Sequence, residues 1–312
     1  MSKLHISSSP HICSKRTTSG IMLDVVIALM PAVIAGCVIF GMRSLLVVGA
    51  SVIASVLAEY VFDLLVKKEN TIFDFSAVVT GIILGLNLKA SAPIWQVVLG
   101  AVFAIVIVKG LFGGLGQNFA NPAATARVFL LVCFSGTLAG GAVPKLSSAP
   151  ELVSGATPLS VLGTGADLPS ILDMFLGLRG GAIGETCGLA ILVGFAYLVA
   201  RRVINFEVPL VYVATVFVLS LIADNSFSVA LYQVLSGGLL FGAVFMITDY
   251  SSTPVTKEGK MVFAFGCGLI TFLIRQYGSY PEGVSFAILL MNILTPYIQK
   301  WTARRPFGGE KA

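Results

Sequence analysis

The stretch IMLDVVIALMPAVIAGCVIF, residues 21–40, decides the fold class. It holds a single charge, Asp24, in 20 residues. About 20 apolar residues, rising 1.5 Å each, are what a helix needs to cross bilayer hydrocarbon. The run is too long for the core of a signal peptide and no convincing cleavage site follows it. Residues 1–20 ahead of it are polar and basic. The stretch therefore reads as a first membrane span behind a short arm. Helix is the expected form, because an isolated strand leaves its backbone polar groups unsatisfied in lipid.

Outward from this run the same signature recurs. Further apolar segments at 44–66, 75–88, 93–112, 122–139, 183–200, 207–223, 229–248, 261–276 and 283–299 bring the expected spans to ten. The whole chain of 312 residues is 56% hydrophobic and 11% charged, where a soluble domain carries roughly 25% charge. Mean hydropathy is +0.94. These values exclude a soluble enzyme, a disordered chain and a nucleic-acid binder. The net charge of +5 needs no nucleic acid as partner, since membrane proteins collect Lys and Arg in their cytoplasmic loops. Five cysteines, at 13, 37, 133, 187 and 267, include no CxxC pair. They read as small apolar packing and suggest no disulfide frame, iron–sulfur cluster or zinc site.

Charge placement orients the chain. With the N-terminus inside, the outer face keeps Arg43, Lys89, Lys145, Arg179 and Arg275, and the remaining fifteen of the 20 Lys and Arg lie inside. Both termini are then expected in the cytoplasm and the long loop 140–182 outside. Five spans precede this loop and five follow it, and an odd number per half turns the second copy upside down, as in many transport folds. The expected architecture is an all-α integral membrane protein of about ten transmembrane helices. It has an arm 1–20, a first five-helix repeat 21–139, an external loop 140–182, an inverted second repeat 183–300 and a tail 301–312. The third span ends GLNLKASAP (85–93) and the eighth MITDYSSTP (246–254), both after glycine-punctuated runs. Both are expected to be broken helices that meet near the midplane. Close backbone packing at the glycines is the plainer account.

Three segments carry chemistry. The first is GGLGQNFANPAATAR, 113–127. Asn121 suits a helix N-cap and Pro122 the first turn. The glycines ahead of them form either a tight turn or a set of free N–H groups for an anion or carbonyl. Arg127 lies about a turn inside the helix, where it must snorkel or meet a partner. The second is Thr248-Asp249 at the end of the eighth span, where Asp249 either binds a cation with freed carbonyls or shapes a turn. Glu59 and Asp63, four residues apart on one face of the second span, read as a salt bridge with Lys67 near the inner interface. Asp24 and Glu185 also lie near span ends. The third segment is ELVSGATPL, 151–159, in the outer loop, where small neighbours leave the Thr157 hydroxyl open to a modifying enzyme and Pro158 holds Thr157 extended.

Ser154-Gly155-Ala156-Thr157 resembles the flavinylation signal in which FMN is joined through its phosphate to a threonine. In that pattern an acid, usually Asp, stands six residues before the threonine; here it is Glu151. The flavinylation loop between spans five and six, the Asn-Pro-Ala segment with Arg127 and the Thr248-Asp249 span end, in one ten-span chain, are together similar to one family. It is that of the D subunit of the Rnf complex and the homologous B subunit of sodium-translocating NADH:quinone reductase. The likeness covers nearly the whole chain. Length and the short N-terminal arm are closer to the Rnf protein.

The resemblance implies an electron-carrying subunit in the cell inner membrane, within a complex that couples electron flow between ferredoxin and NAD to movement of Na⁺ or H⁺. It implies covalent FMN on Thr157, with Ser154, Gly155, Ala156, Glu151, Asn121 and Arg127 as further cofactor-binding residues, Ser154 and Glu151 serving a flavin transferase, and a non-covalent riboflavin in the membrane part. The implied partners are the other Rnf-type subunits (A, B, C, E and G), besides membrane lipid. A passive channel of the urea or ammonium type shares the inverted-repeat architecture and is the alternative from another class, since fold does not dictate function. A channel has no use for a flavinylated loop. A purely structural membrane protein is the third reading.

Overall fold

The computed structural model describes residues 16–66, 71–138, 140–142, 144, 159, 169–278 and 283–303. Among the described residues helix is the only repeating element, with one isolated antiparallel bridge between Ala142 and Gly181. Two long helices, α1 (Thr18–Phe40) and α2 (Met42–Val66), are followed by the short α3 (Ser76–Leu86). Then come α4 (Ile94–Gly110), α5 (Pro122–Cys133) and a single turn, α6 (Ser135–Leu138). Beyond the long loop lie α7 (Ile171–Leu176), α8 (Gly188–Ala200) and α9 (Glu207–Asp224). The chain closes with α10 (Phe227–Leu235), α11 (Leu239–Met246), α12 (Lys257–Tyr277) and α13 (Val284–Trp301).

Three of these helices, α1, α2 and α9, are long and apolar enough to cross a bilayer. The pair α10–α11, bent by 62° at its break, makes a fourth if it is one span, and α3, α4, α5 and α8 are shorter apolar helices. The outside of the bundle is apolar: Ile34, Val38, Ile53, Leu64 and Leu65 are exposed. Exposed apolar side chains of this kind suit lipid or another membrane protein.

Local chemistry sets the helix starts. The Thr17 hydroxyl accepts from Gly20 N–H at 3.2 Å to cap α1, and Thr256 caps α12 through Gly259 N–H at 3.1 Å. Two helices finish in π-helical turns, α4 over Phe103–Gly110 and α11 over Gly242–Met246, a wide geometry that recurs at functional sites. Glycines set the packing of α3 on α2. A Cβ at Gly81 would lie 2.7 Å from the Val52 Cα and one at Gly85 2.9 Å from the Val48 Cα, so the backbones touch at these positions.

Two expected spans are corrected. Residues 183–187 are not part of a helix reaching from 183 to 200. Gly184 N–H donates to the Leu86 carbonyl at 2.8 Å and Ile183 N–H to the Leu88 carbonyl at 3.0 Å. This strip therefore lies along the break after α3 and satisfies carbonyls the helix has freed, and α8 starts only at Gly188. The fifth span, expected over 122–139, ends as a regular helix at Cys133, where Phe134 leaves helical geometry and donates its N–H to the Leu130 carbonyl. The four described cysteines, Cys37, Cys133, Cys187 and Cys267, are free thiols.

Candidate functional site

At the end of the bundle where α1 begins, a cavity of about 100 Å³ opens between α1, α3, α5 and the end of α11. Val79, Ile83, Val244 and Phe245 give it apolar walls, and Ser76, Thr80, Lys109, Asn118, Asn121, Thr248 and Asp249 bring polar groups. Two sequence candidates from distant segments, Asn121 and Asp249, thus share one cavity.

Asn121 is the N-cap of α5. Its side-chain oxygen accepts from Ala124 N–H at 3.1 Å, with Pro122 in the first turn. Its amide nitrogen donates to the Met246 carbonyl at 3.2 Å, so the cap also ties α5 to the end of α11. Asn87, at the break after α3, reaches the same residue, its Nδ2 3.6 Å from the Met246 sulfur. The glycines ahead of Asn121 make turns: Gly113, Gly114 and Gly116 have φ of 123°, 100° and 84°, open to glycine but strained for other residues. Asn292 of α13 carries no motif in the sequence. With its amide oriented to suit its neighbours, it accepts from Asn121 N–H at 3.0 Å and donates to the Ser252 carbonyl at 3.1 Å. One amide in an apolar run is the only signal that could have found it.

Asp249 shapes the loop after α11. Its carboxylate accepts from the Ser252 hydroxyl at 2.9 Å and the Ser251 hydroxyl at 3.1 Å, and the Thr253 hydroxyl donates to its carbonyl at 2.5 Å. Asp249 is half-buried, with the Thr248 hydroxyl donating back to the Val244 carbonyl at 2.6 Å. Next to it the Tyr250 hydroxyl donates to the Val203 carbonyl. Burial raises the Tyr250 phenol above its ordinary value while the Arg16 charge pulls it back, so the proton needed for that bond stays in place.

Glu59 is paired outside its own helix. Its partner is Lys109, from the π-helical end of α4, which also donates to the Ser76 hydroxyl at 2.7 Å. Lys109 is only 4% exposed, although the charge count places it with the inner-loop cations. Asp63 accepts from Thr71, through N–H at 3.1 Å and hydroxyl at 2.9 Å, and the same hydroxyl reaches Glu59 at 3.1 Å. Lys67 lies outside the described residues. Sequence spacing favours a partner one turn or two away, and the fold supplies one 50 residues away. Asp24 joins α1 to α8, accepting from the Tyr197 hydroxyl at 3.0 Å and pairing with Arg201 at 3.2 Å.

The opposite end of the bundle, where α1 finishes, collects the charges assigned to the outer face. Lys89 and Arg179 are buried there, while Arg275 is half-buried. Arg127, inside α5, is 3% exposed and does not snorkel. Arg275 donates to the carbonyls of Gln233 and Ser236, and the Glu185 carboxylate accepts from Ala182 N–H at 3.0 Å. Glu151, Ser154, Gly155, Ala156 and Thr157 lie outside the described residues. Leu159, two residues past Thr157, is buried, with a methyl 3.7 Å from where a Cβ would sit at Gly237. Arg275 Nη2 lies 3.0 Å from that same point.

Residues 5–308 match the family described as NQR2, RnfD, RnfE. The D subunit of the Na⁺-translocating ferredoxin:NAD⁺ oxidoreductase complex of Acetobacterium woodii is 46% identical, over 99% of this chain and 96% of its own length. The D subunit of the proton-translocating ferredoxin:NAD⁺ oxidoreductase complex of Clostridium ljungdahlii is 39% identical, over 97% and 96%. The D subunit of the ion-translocating oxidoreductase complex of Stutzerimonas stutzeri is 38% identical, over 92% and 91%.

Proposed function

The chain belongs to the NQR2, RnfD, RnfE family, and on that premise we propose that it is a membrane component of a redox-driven ion translocase of the ferredoxin:NAD oxidoreductase type. The observation that carries this is similarity along almost the full length to D subunits of ion-translocating oxidoreductase complexes, two of them named for ferredoxin:NAD⁺ oxidoreductase. It works with other Rnf-type subunits in the cytoplasmic membrane and is not active alone. In this reading ten helices form two inverted five-helix repeats, with α3 and α10–α11 as the broken members. The Asn87 and Asn121 contacts to Met246 support the convergence of broken helices from the two halves.

Covalent FMN on Thr157, joined through its phosphate, is the cofactor part of the proposal. When bound it supplies one- and two-electron chemistry that no side chain offers. The buried anchor at Leu159 and the cation Arg275 beside it suit a phosphate held nearby. Thr157 is an attachment point, and Glu151 and Ser154 serve the transferase. A non-covalent riboflavin is the second cofactor of the proposal, and its candidate place is the cavity between Val79, Ile83 and Phe245, where Asn118, Asn121 and Thr248 offer hydrogen-bonding groups along apolar walls. Intact mass of the purified chain tests the covalent part, which requires one added FMN less one water. An unmodified mass from a cell that makes the active complex would overturn it.

Asp249 is proposed as a ligand for the coupling cation, because carboxylate, hydroxyl and freed carbonyl oxygens are the hard donors such an ion takes. Its serine partners also fit a purely turn-shaping role, and Asp249→Asn separates the two. It keeps size and removes the charge. Coupled electron transfer is expected to fall while flavin on Thr157 persists. An unchanged dependence of activity on Na⁺ and pH would remove the cation site. The Acetobacterium and Clostridium relatives divide between Na⁺ and protons, so this measurement also reads which ion moves.

Orientation follows from the charge asymmetry, with both termini inside and the 140–182 loop outside. A cysteine placed at Ser148 is expected to react with a membrane-impermeant reagent on intact cells. Reaction only after permeabilisation would invert the topology.

A further inference from the structure

At the end of the bundle where α1 begins, the α8–α9 loop and the first turn of α12 carry four cations: Arg201, Arg202, Lys257 and Lys260. Two of them are neutralised, Arg201 by Asp24 at 3.2 Å and Lys257 by Glu207 at 2.7 Å. Arg202 and Lys260 have no ion-pair partner among the described residues. These two line one cavity of about 160 Å³, and no acid is among the residues that line it. Buried Val203, Val208 and Ile247 line it with them, and Asn205 and Thr253 add polar groups. Asp249, although next to Tyr250, turns its carboxylate to the Ser251 and Ser252 hydroxyls.

One tyrosine ties the two cations together. The Tyr250 hydroxyl donates to the Val203 carbonyl, one residue past Arg202. Lys260 Nζ lies 6.0 Å from the centre of the same ring, the reach of a cation–π contact. The backbone that carries Arg202 is held from other sides too. Val203 N–H donates to the Leu198 carbonyl at 2.9 Å, and Arg16 donates to the carbonyls of Arg201 and Arg202 at 3.0 and 3.2 Å. Arg202 has φ of 53°, a left-handed conformation that a residue with a Cβ keeps only where its surroundings impose it. Beside the cavity the surface turns apolar. Phe206 and Leu210 are exposed where α9 begins, and Val255 and Val262 where α12 begins.

We propose that this cavity seats the headgroup of an anionic phospholipid, with Arg202 and Lys260 on its phosphate and its acyl chains along the starts of α9 and α12. A guanidinium offers a fork that matches two phosphate oxygens, and an ammonium adds a point charge. Basic pockets between membrane helices are places where phospholipid headgroups bind. The apolar side chains next to the cations decide between lipid and a soluble anion, because only a ligand with an anionic head and an apolar tail uses both. The site rests on the membrane reading and on neither the flavin nor the coupling cation.

The test uses the detergent-purified complex, stripped of loosely held lipid and titrated with phosphatidylglycerol or phosphatidylcholine. Lipid retained by this chain is read by native mass spectrometry. Wild type is expected to prefer phosphatidylglycerol. The double variant Arg202→Gln with Lys260→Gln is expected to weaken its binding about thirtyfold, the equivalent of about 1 kcal/mol for each cation at a lipid surface. Phosphatidylcholine binding should not move. Lys257→Gln, which removes a neighbouring cation outside the cavity, should keep the preference. If the double variant fails to assemble, Lys260→Gln decides alone, with an expected loss of about fivefold. No preference in wild type, an unchanged preference in the variants that assemble, or an equal loss in Lys257→Gln would each overturn the proposal. Inorganic phosphate supplies the last arm. If it raises the unfolding midpoint of wild type and not of the variants, while phosphatidylglycerol shows no preference, the cavity belongs to a soluble anion and the lipid is excluded.

Discussion

A Thr157→Ala chain is expected to insert and assemble at wild-type level and to carry no covalent flavin. The hydroxyl oxygen is the atom that would bear the phosphoester, and alanine removes that atom and nothing else of consequence. Thr157 belongs to a loop expected outside the bilayer, and such loops contribute little to packing. The core of the described bundle is built from Leu84, Leu86, Leu130, Phe241 and Phe263, far along the chain from it. In-gel flavin fluorescence after denaturation and intact mass read the result together. Fluorescence retained at the mass of the chain would place the attachment elsewhere. Failure of the variant to reach the membrane would give Thr157 a structural role and count against flavin attachment there. Electron transfer through the complex is expected to fall with the flavin, and unchanged transfer would favour a purely structural role for the chain.

Lys109→Ala is expected to destabilise the bundle by about 3–5 kcal/mol, the usual cost of leaving one member of a buried ion pair alone. Glu59 is buried, one carboxylate oxygen accepts from Lys109 and Thr71, and the other has no hydrogen bond among the described residues. Without the ammonium its charge would have one hydroxyl for company. The Ser76 hydroxyl at the start of α3 would lose its donor as well. Thermal unfolding of the detergent-solubilised protein checks this through a large drop in midpoint. The pair Glu59→Gln with Lys109→Met removes both charges and is expected to recover most of the loss, because an apolar or neutral replacement of a whole buried pair is often tolerated. A midpoint in Lys109→Ala equal to wild type would show that Glu59 does not depend on Lys109. A double variant as weak as the single one would show that packing at Lys109, and not charge, carries the effect.

Much of the helical layout was legible from plain apolar runs, because lipid forces a spanning chain to close its own backbone bonds. The bounds of α1, α2, α9 and α13 fall within a few residues of those runs. Asn121-Pro122 was legible as a helix start, since capping is decided by three or four neighbouring residues. Family membership was likewise readable from motif order alone.

What local sequence could not carry was anything settled by distant partners. Residues 183–187 are apolar enough for a helix, yet they pair with the break after α3, because the freed carbonyls of Leu86 and Leu88 need donors where no water is at hand. Glu59 pairs with Lys109, 50 residues along the chain, and burial makes such a partner inside the bundle count. Asn121, Asp249 and Asn292 belong to three separate segments, and only the folding of α5, α11 and α13 together brings them to one end of the bundle. The sequence determined which segments leave water and where they begin. The tertiary structure decided which buried polar groups meet, because in a dry interior each must find its partner through space, whatever the chain length between them.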